Sequence, residues 1–385
     1  MLFFIKWLQF ILLTILQPIL CALGIINNLM NLIVIENRKK RKEFSENMYR
    51  FIEINSIFNI IYCSIMLLKL INTCIFDESG IFCSSIYKDN ASQYFKIIVI
   101  HFLGNSLKLC SNISYFLFAL SRLIIINSSH QRIITQSVRI SSTRKKRYGY
   151  FFVFILIFVI CSLLSLFKLF QYRLNVDKDY RKDFPYELRD ELYCNSSSGE
   201  YKCMLFSSFK IANSILNDVC MVVLNIIIDI VLIRRLHRHL EEKTSLTQIV
   251  TTDYHKNIKK TKKRVNRMVF LNSCLYIISH LPEFLTTLLL IVYSTKIAKF
   301  CMFNFSCDLI NEEAEFFSLI SISCQFFIYR VFDRNFKASF DDLKARVLCC
   351  FRENKNGASN VTNSIGISSI ELRNLNKLIG DGRID

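Results

Sequence analysis

Seven stretches of mainly apolar residues run along the chain, approximately at Trp7–Ile35, Phe51–Phe76, Tyr94–Ile126, Tyr148–Phe170, Met204–Ile233, Met268–Tyr293 and Leu309–Phe332. Each has at least the roughly 20 residues that a helix needs to cross a bilayer. In lipid every backbone amide must find its partner within the protein, so such runs become helices or closed barrels. The period-two alternation of barrel strands is absent from them, which excludes a barrel. The expected fold class is therefore an all-α membrane protein, a bundle of seven transmembrane helices.

Composition agrees with this. Hydrophobic residues make up 52% of the 385, with 34 Phe but only 3 Pro and 9 Gly. A soluble protein of two or three domains does not need so much apolar surface, nor can it turn with so few turn residues. The formal charge of +18 lies in short blocks between the apolar runs, as it does in membrane proteins rather than nucleic-acid binders. No nucleic-acid partner is expected. The first stretch, beginning after Lys6, could pass for a signal peptide. Cleavage near Cys21–Gly24 would leave only Ile25–Ile35, too short to span, so it reads as a true first helix with Trp7 at the interface.

Lys and Arg set the expected orientation. After span one comes the block Arg38–Lys42, and the loops after spans three and five carry six and eleven cations, including the block Arg144–Arg147. The loops after spans two, four and six carry one, six and two, and the middle one also holds seven acids. The positive-inside rule puts the N-terminus outside and the C-terminus in the cytoplasm. Glycosylation acceptors of the form Asn-x-Ser/Thr fall at Asn90, Asn195 and Asn304, one in each outer loop, while those at Asn112, Asn127 and Asn360 fall in a helix or on the inner side, out of reach of glycosylation in that orientation. Of 15 Cys, Cys83, Cys194, Cys203, Cys301 and Cys307 lie in outer loops, where disulfides persist. Cys301 and Cys307 are separated by five residues, enough to close a small loop.

Polar residues inside the spans carry the next level of meaning. Span one holds Gly24-Ile25-Ile26-Asn27-Asn28, and span two Asn55-Ser56-Ile57-Phe58-Asn59. Span three ends in Leu120-Ser121-Arg122-Leu123, span six contains Tyr276-x-x-Ser279-His280-Leu281-Pro282, and span seven ends in Gln325-Phe326-Phe327-Ile328-Tyr329. In order and spacing these resemble the motifs of rhodopsin-like G-protein-coupled receptors: Gly-Asn in span one, the Asn/Asp stretch of span two, Asp/Glu-Arg-Tyr, aromatic-x-x-Cys-Trp-x-Pro, and Asn-Pro-x-x-Tyr. The departures are a Ser beside Arg122, Asn59 in place of an Asp, no Pro in spans five or seven and no Trp in span four. They suggest a divergent, invertebrate peptide-receptor-like branch.

The resemblance implies a mechanism. Asn28, Asn59, Arg122, Asp229, Tyr276, Pro282, Gln325 and Tyr329 become the candidate activation switch. Arg122 would meet a G protein once span six swings outward, and Tyr329 would swing toward it. The residues that usually restrain the Arg look here like Ser121 and Lys262, which cannot hold a cation, so raised basal signalling is expected with Asp229 as a substitute partner. Pro282 breaks the hydrogen-bond ladder of span six and supplies a kink. The family's disulfide to span three would join Cys203, or Cys194, to Cys83, because no Cys opens span three.

Charges within the bilayer are costly unless they face protein or water. Lys108 lies 14 residues before Arg122, about 21 Å along a helix. Gly104 and Asn105 lie one turn before it. With Lys69, His280 and Glu283 they form the candidate ligand site, and a Lys108–Glu283 pair that only stabilises the bundle is the alternative. Family comparison makes Gly104 argue against an amine, Leu319 against retinal, and Asn59 against an internal sodium ion. The charged loop Gln171–Lys202 is long enough for a hairpin lid and favours a peptide, while Lys69 and Lys108 would suit an acidic group or terminal carboxylate.

The expected domains are 1–332, the receptor body; 333–350, an amphipathic eighth helix bearing the palmitoylation candidates Cys349 and Cys350; and 351–385, a disordered cytoplasmic tail. No catalytic cluster, phosphate-cradling Gly loop or metal-ligand spacing is evident, so neither an enzyme nor a cofactor or metal is expected. The expected partners are an extracellular ligand, a heterotrimeric G protein and membrane lipid, at the plasma membrane. A transporter of a charged solute is the alternative; it would show internal repeats or broken helices. A seven-span chemoreceptor working without G proteins is a third reading, distinguished by an inside N-terminus.

Overall fold

Helix is the local solution for each apolar run, because a backbone without water must bond to itself. The computed structural model describes residues 7–40, 47–72, 86, 89–132, 143–175, 187–190, 208, 212–213, 215–246, 267, 270–282, 284–285, 306–333 and 336–346. Helix α1 (Gln17–Lys40) follows a π turn at Ile11–Leu16, and α2 (Asn47–Leu68) ends in a 3-10 turn at Lys69–Asn72. Helix α3 (Gly104–Arg132) is preceded by a π stretch, Lys96–Leu103, and a short helix, Asn90–Phe95. After α4 (Thr143–Ser165) come the short helix Phe167–Gln171 and, following a π turn at Ile215–Cys220, α5 (Met221–Leu246). Residues 270–282 form α6, α7 spans Ser306–Phe332, and residues 336–346 form α8.

Described helix therefore occurs in all seven expected stretches. Five segments are long and apolar enough to cross a membrane: Trp7–Asn37, Tyr49–Leu68, Asn90–Ser121, Phe152–Phe170 and Glu315–Phe332. The fifth and sixth expected spans are described only in part.

The helices are inside-out relative to those of a soluble protein. On α1 the aliphatic Ile15, Ile19, Ile26 and Ile33 are exposed, while Asn27, Asn28 and Asn31 are buried. Ile26 is 56% exposed and Asn28 0%. Apolar surface on this scale belongs against lipid. Between the helices, Phe58 of α2 stacks on Phe154 of α4 at 4.6 Å and 6°. Gly24 lets α1 approach α2 and α7, since a Cβ there would come within 2.7 Å of Cys63 Sγ and 3.2 Å of Ser323 Oγ. Small residues at such crossings are how membrane helices pack closely.

The loop between α4 and α5 forms the expected hairpin. Strand β1 (Tyr172–Asn175) pairs antiparallel with β2 (Glu187–Asp190), with Tyr172 opposite Asp190 and Asn175 opposite Glu187. Two compact units divide the chain, Met1–Ser339 and Phe340–Asp385. The first ends inside α8, and the second contains an Asp342–Arg346 ion pair at 3.5 Å, one helical turn apart.

Candidate functional site

At the centre of the bundle an amide network joins four helices. Asn59 Nδ2 on α2 donates to Asn28 Oδ1 on α1 and to Gln325 Oε1 on α7, each at 3.3 Å. Asn55, one turn away on α2, donates to the same Gln325 oxygen at 3.0 Å. From α3, Ser111 Oγ lies 2.7 Å from Asn59 Oδ1 and 2.9 Å from Asn55 Oδ1. A hydroxyl has one proton, so Ser111 can serve only one of these two oxygens at a time. Asn28 and Asn27 close the α1 side through Nδ2 donation to Gly24 O and Ser323 O, both at 2.8 Å. Such groups must be satisfied internally, since an orphaned amide in an apolar interior is costly.

This hub is built from neutral groups. Where the resembling receptors hold a span-two carboxylate, Asn59 is fully buried and surrounded by amides and a hydroxyl.

A narrow cavity adjoins the hub, with about 20 Å³ open to the centre of a water molecule, room for about one or two waters. From α3 it is lined by Lys108, Ser111, Asn112 and Tyr115, and from α6 by Tyr276, Ser279 and His280. Ser318, Ser321, Ile322 and Gln325 of α7 complete it. Helical spacing explains the α3 wall: residues 108, 111, 112 and 115 share one face. Lys108 is only 6% exposed. The Tyr115 and Tyr276 rings stack at 5.3 Å and 8°, and Tyr276 meets His280 at 4.4 Å. Sequence reasoning placed Lys108 and His280 in one site and Tyr276 and Gln325 in a switch; the structure brings all four to one cavity.

Three other candidate ligand residues lie elsewhere. Lys69, in the 3-10 turn after α2, forms an ion pair with Glu315 of α7. Asn105 faces α4, where its Nδ2 donates to Ser165 Oγ at 2.9 Å. Gly104 lies near α2, where a Cβ would meet Ile65 Cγ2 at 3.8 Å. Glu283 lies outside the described residues.

Toward the C-terminal ends of α3 and α7 the candidate switch is aromatic. Tyr329 is 1% exposed and packs edge-on against Phe118 of α3 at 5.8 Å, one turn before Arg122. Its other side meets Phe336 of α8 at 6.0 Å. Arg122 belongs to α3, but its side chain lies outside the described residues, as does Lys262. Ser121 Oγ donates to its own helix at Phe118 O, 2.8 Å away. Asp229 accepts a hydrogen bond from Ser273 Oγ, tying α5 to α6. Pro282 is half-buried on α6.

Of the modification candidates, Asn90 is exposed at the start of its short helix. Asn195, Asn304, Cys83, Cys194, Cys203, Cys301, Cys349 and Cys350 lie outside the described residues, and Cys307 falls within α7 with its side chain outside them.

Several residues that matter here were not singled out from sequence. Ser111 is one turn from Lys108 on the same face, a signal in plain view. Glu315 belongs to the acidic run Glu312-Glu313-Ala314-Glu315 near the start of the seventh span, a carboxylate for a lysine that needed one. Asp333 gave no signal; its carboxylate accepts from Tyr49 OH and from Phe336 N, each at 3.1 Å, and so caps α8.

The model of the family described as serpentine type 7TM GPCR chemoreceptor Srw matches residues 15–343. The chain belongs to this family. It is thus a multi-pass membrane protein of a G-protein-coupled chemoreceptor class. The match is to a G-protein-coupled receptor family and does not single out a rhodopsin-like peptide-receptor branch, and the transporter reading is not favoured. No curated protein matches the chain.

Proposed function

We propose that this Srw-family protein is a plasma-membrane receptor, N-terminus outside and C-terminus in the cytoplasm. It converts binding of an extracellular ligand into outward movement of α6 and activation of a heterotrimeric G protein. One observation carries this reading: the cavity holding Lys108 is lined both by Gln325 and Ser111 of the hub and by Tyr276 of α6. A ligand there would touch a fixed frame and a kinked helix at once.

The β1–β2 hairpin between α4 and α5 supports a peptide as the ligand, because a strand edge can take up an extended peptide through backbone hydrogen bonds that any sequence can make. On this reading 1–332 form the receptor body, 333–350 the membrane-surface helix with Cys349 and Cys350 acylated, and 351–385 the tail. Cys203 or Cys194 with Cys83, and Cys301 with Cys307, brace the outer loops, and Asn90, Asn195 and Asn304 carry glycans. Arg122 and the basic loop Leu236–Arg267 face the G protein.

The experiment is a screen of secreted peptides on cells expressing the chain, reading G-protein dissociation, with Arg122→Ala alongside. A peptide response lost in Arg122→Ala, at equal surface expression, is the expected result. A response that survives the substitution undiminished counts against the mechanism.

A further inference from the structure

Amides inside the bundle are met by partners: Asn27, Asn28, Asn55 and Asn59 each donate to an oxygen nearby. Asn225 of α5 departs from that pattern. It is only 3% exposed, yet among the described residues neither its Nδ2 nor its Oδ1 has a hydrogen-bond partner. An unmet carboxamide opposes the arrangement that buries it, so a packed helix that keeps one calls for an explanation.

The explanation lies one turn earlier. The π turn at Ile215–Cys220 ends immediately before Met221, where α5 begins. A π turn closes its bonds over five residues and so holds one residue more than the α-helix around it. Such an extra residue can be passed along a helix, because each step breaks and remakes the same kind of bond. Between the π turn and Asn225 stand Met221-Val222-Val223-Leu224, and no Pro or Gly interrupts 215–229. Beyond Asn225, the bond between Asp229 and Ser273 holds the inner part of α5 to α6. The segment free to re-register is therefore short and well bounded.

We propose that the outer end of α5 is a two-register element, switched when its π turn migrates past Asn225. Each residue from Cys220 to Asn225 then advances into the place of its successor, about 1.5 Å along the axis and about 100° around it. Leu224, now 43% exposed, enters the buried place of Asn225, and Asn225 moves to the half-buried place of Ile226. The other exchanges put one apolar side chain where another stood, so the orphaned amide is what separates the two registers in energy. Because α5 packs against α3, the new face is presented to the helix that carries Lys108 and Ser111. The proposal rests on the receptor reading above and names the part α5 plays in it: the resting register buries the amide and the signalling register releases it.

The test uses the full chain, in lipid nanodiscs for thermal unfolding and hydrogen exchange, and in cells for basal G-protein dissociation. Asn225→Leu puts an apolar side chain of similar shape where the amide is orphaned, and should raise the midpoint by about 3 °C. Exchange of the amides of 221–225 proceeds through re-registration and should slow at least about tenfold. Basal dissociation should fall at least about threefold. Asn225→Val should act in the same direction with less bulk. Deleting Val219 takes the extra residue out of the π turn, so exchange should be slow even with Asn225 in place. A lower midpoint in both apolar variants, or exchange that does not slow, shows that the amide is useful where it sits and overturns the two registers. Slowed exchange that leaves an existing dissociation signal unchanged separates the registers from signalling and overturns the proposal as well. Slowed exchange in a chain that never triggers dissociation keeps the two registers and removes the receptor reading; dissociation with unaltered exchange does the reverse.

Discussion

The two sides of the bundle are held together by different means. The α1–α2–α3–α7 side is laced by side-chain hydrogen bonds from Asn27, Asn28, Asn55, Asn59 and Ser111, all of 3.3 Å or less. Among the described residues, the α5–α6 side shows the Asp229–Ser273 bond between its two helices and a stacked pair of tyrosines joining α6 to α3. Ring stacking tolerates sliding, whereas a multi-centre amide network does not, because moving one member orphans several buried groups. One side is a frame and the other a lever. Pro282 adds to the asymmetry by removing a backbone bond from α6 itself.

The strongest way to break the comparison is to strike the frame. Asn59→Leu should orphan Asn28 Oδ1 and take one partner each from Gln325 and Ser111, which keep Asn55, and lower stability by about 2–4 kcal/mol, seen as a fall in thermal midpoint and surface expression. A stable, fully expressed Asn59→Leu protein would show that the frame is not what holds the bundle. Gly24→Leu is expected to do comparable damage through its clash with Cys63 Sγ, at 2.7 Å from even a bare Cβ, with misfolded protein retained inside the cell as the readout.

A weaker effect is expected on the lever. Ser273→Ala removes the donor to Asp229 and should favour the open arrangement by about 1 kcal/mol, raising basal G-protein dissociation roughly fivefold while leaving the midpoint nearly unchanged. Asp229→Asn should raise it less, since an amide oxygen still accepts from Ser273; unchanged basal activity in both variants would remove the α5–α6 tie from the mechanism. Tyr49→Phe, at the far end of the frame, should cost about 0.5–1 kcal/mol by releasing one bond to the Asp333 cap of α8. Smallest of all is the response to sodium. Because the hub contains an amide where a carboxylate would bind the ion, exchanging sodium for a bulky organic cation should leave ligand affinity unchanged, and a shift would locate a charged group elsewhere in the frame.

Parts of this were legible beforehand. Tyr276, His280 and Gln325 were picked out by their places in the resembling motifs, and Lys108 because a charge in an apolar run needs an inward-facing reason. Lys69 and Asn105 were picked out by the same logic, yet one meets Glu315 and the other Ser165. The rule identifies residues that must face protein; it does not say which protein. The hairpin was foreseeable from loop length, but its register, with Arg173 opposite Arg189, was not.

The chain of residues alone determined that these segments are helices and which of their faces meet lipid. In a medium without water, backbone bonds close within four residues and apolar stripes turn outward, and both are local matters. Only the tertiary structure decided that Asn59 and Gln325, 266 positions apart, share a bond, and that Lys108 and His280 enclose one cavity while Lys69 is drawn to another helix. A side chain's periodicity fixes the direction it points, but its partner depends on how the helices turn and cross, and that is settled by the packing of all of them together.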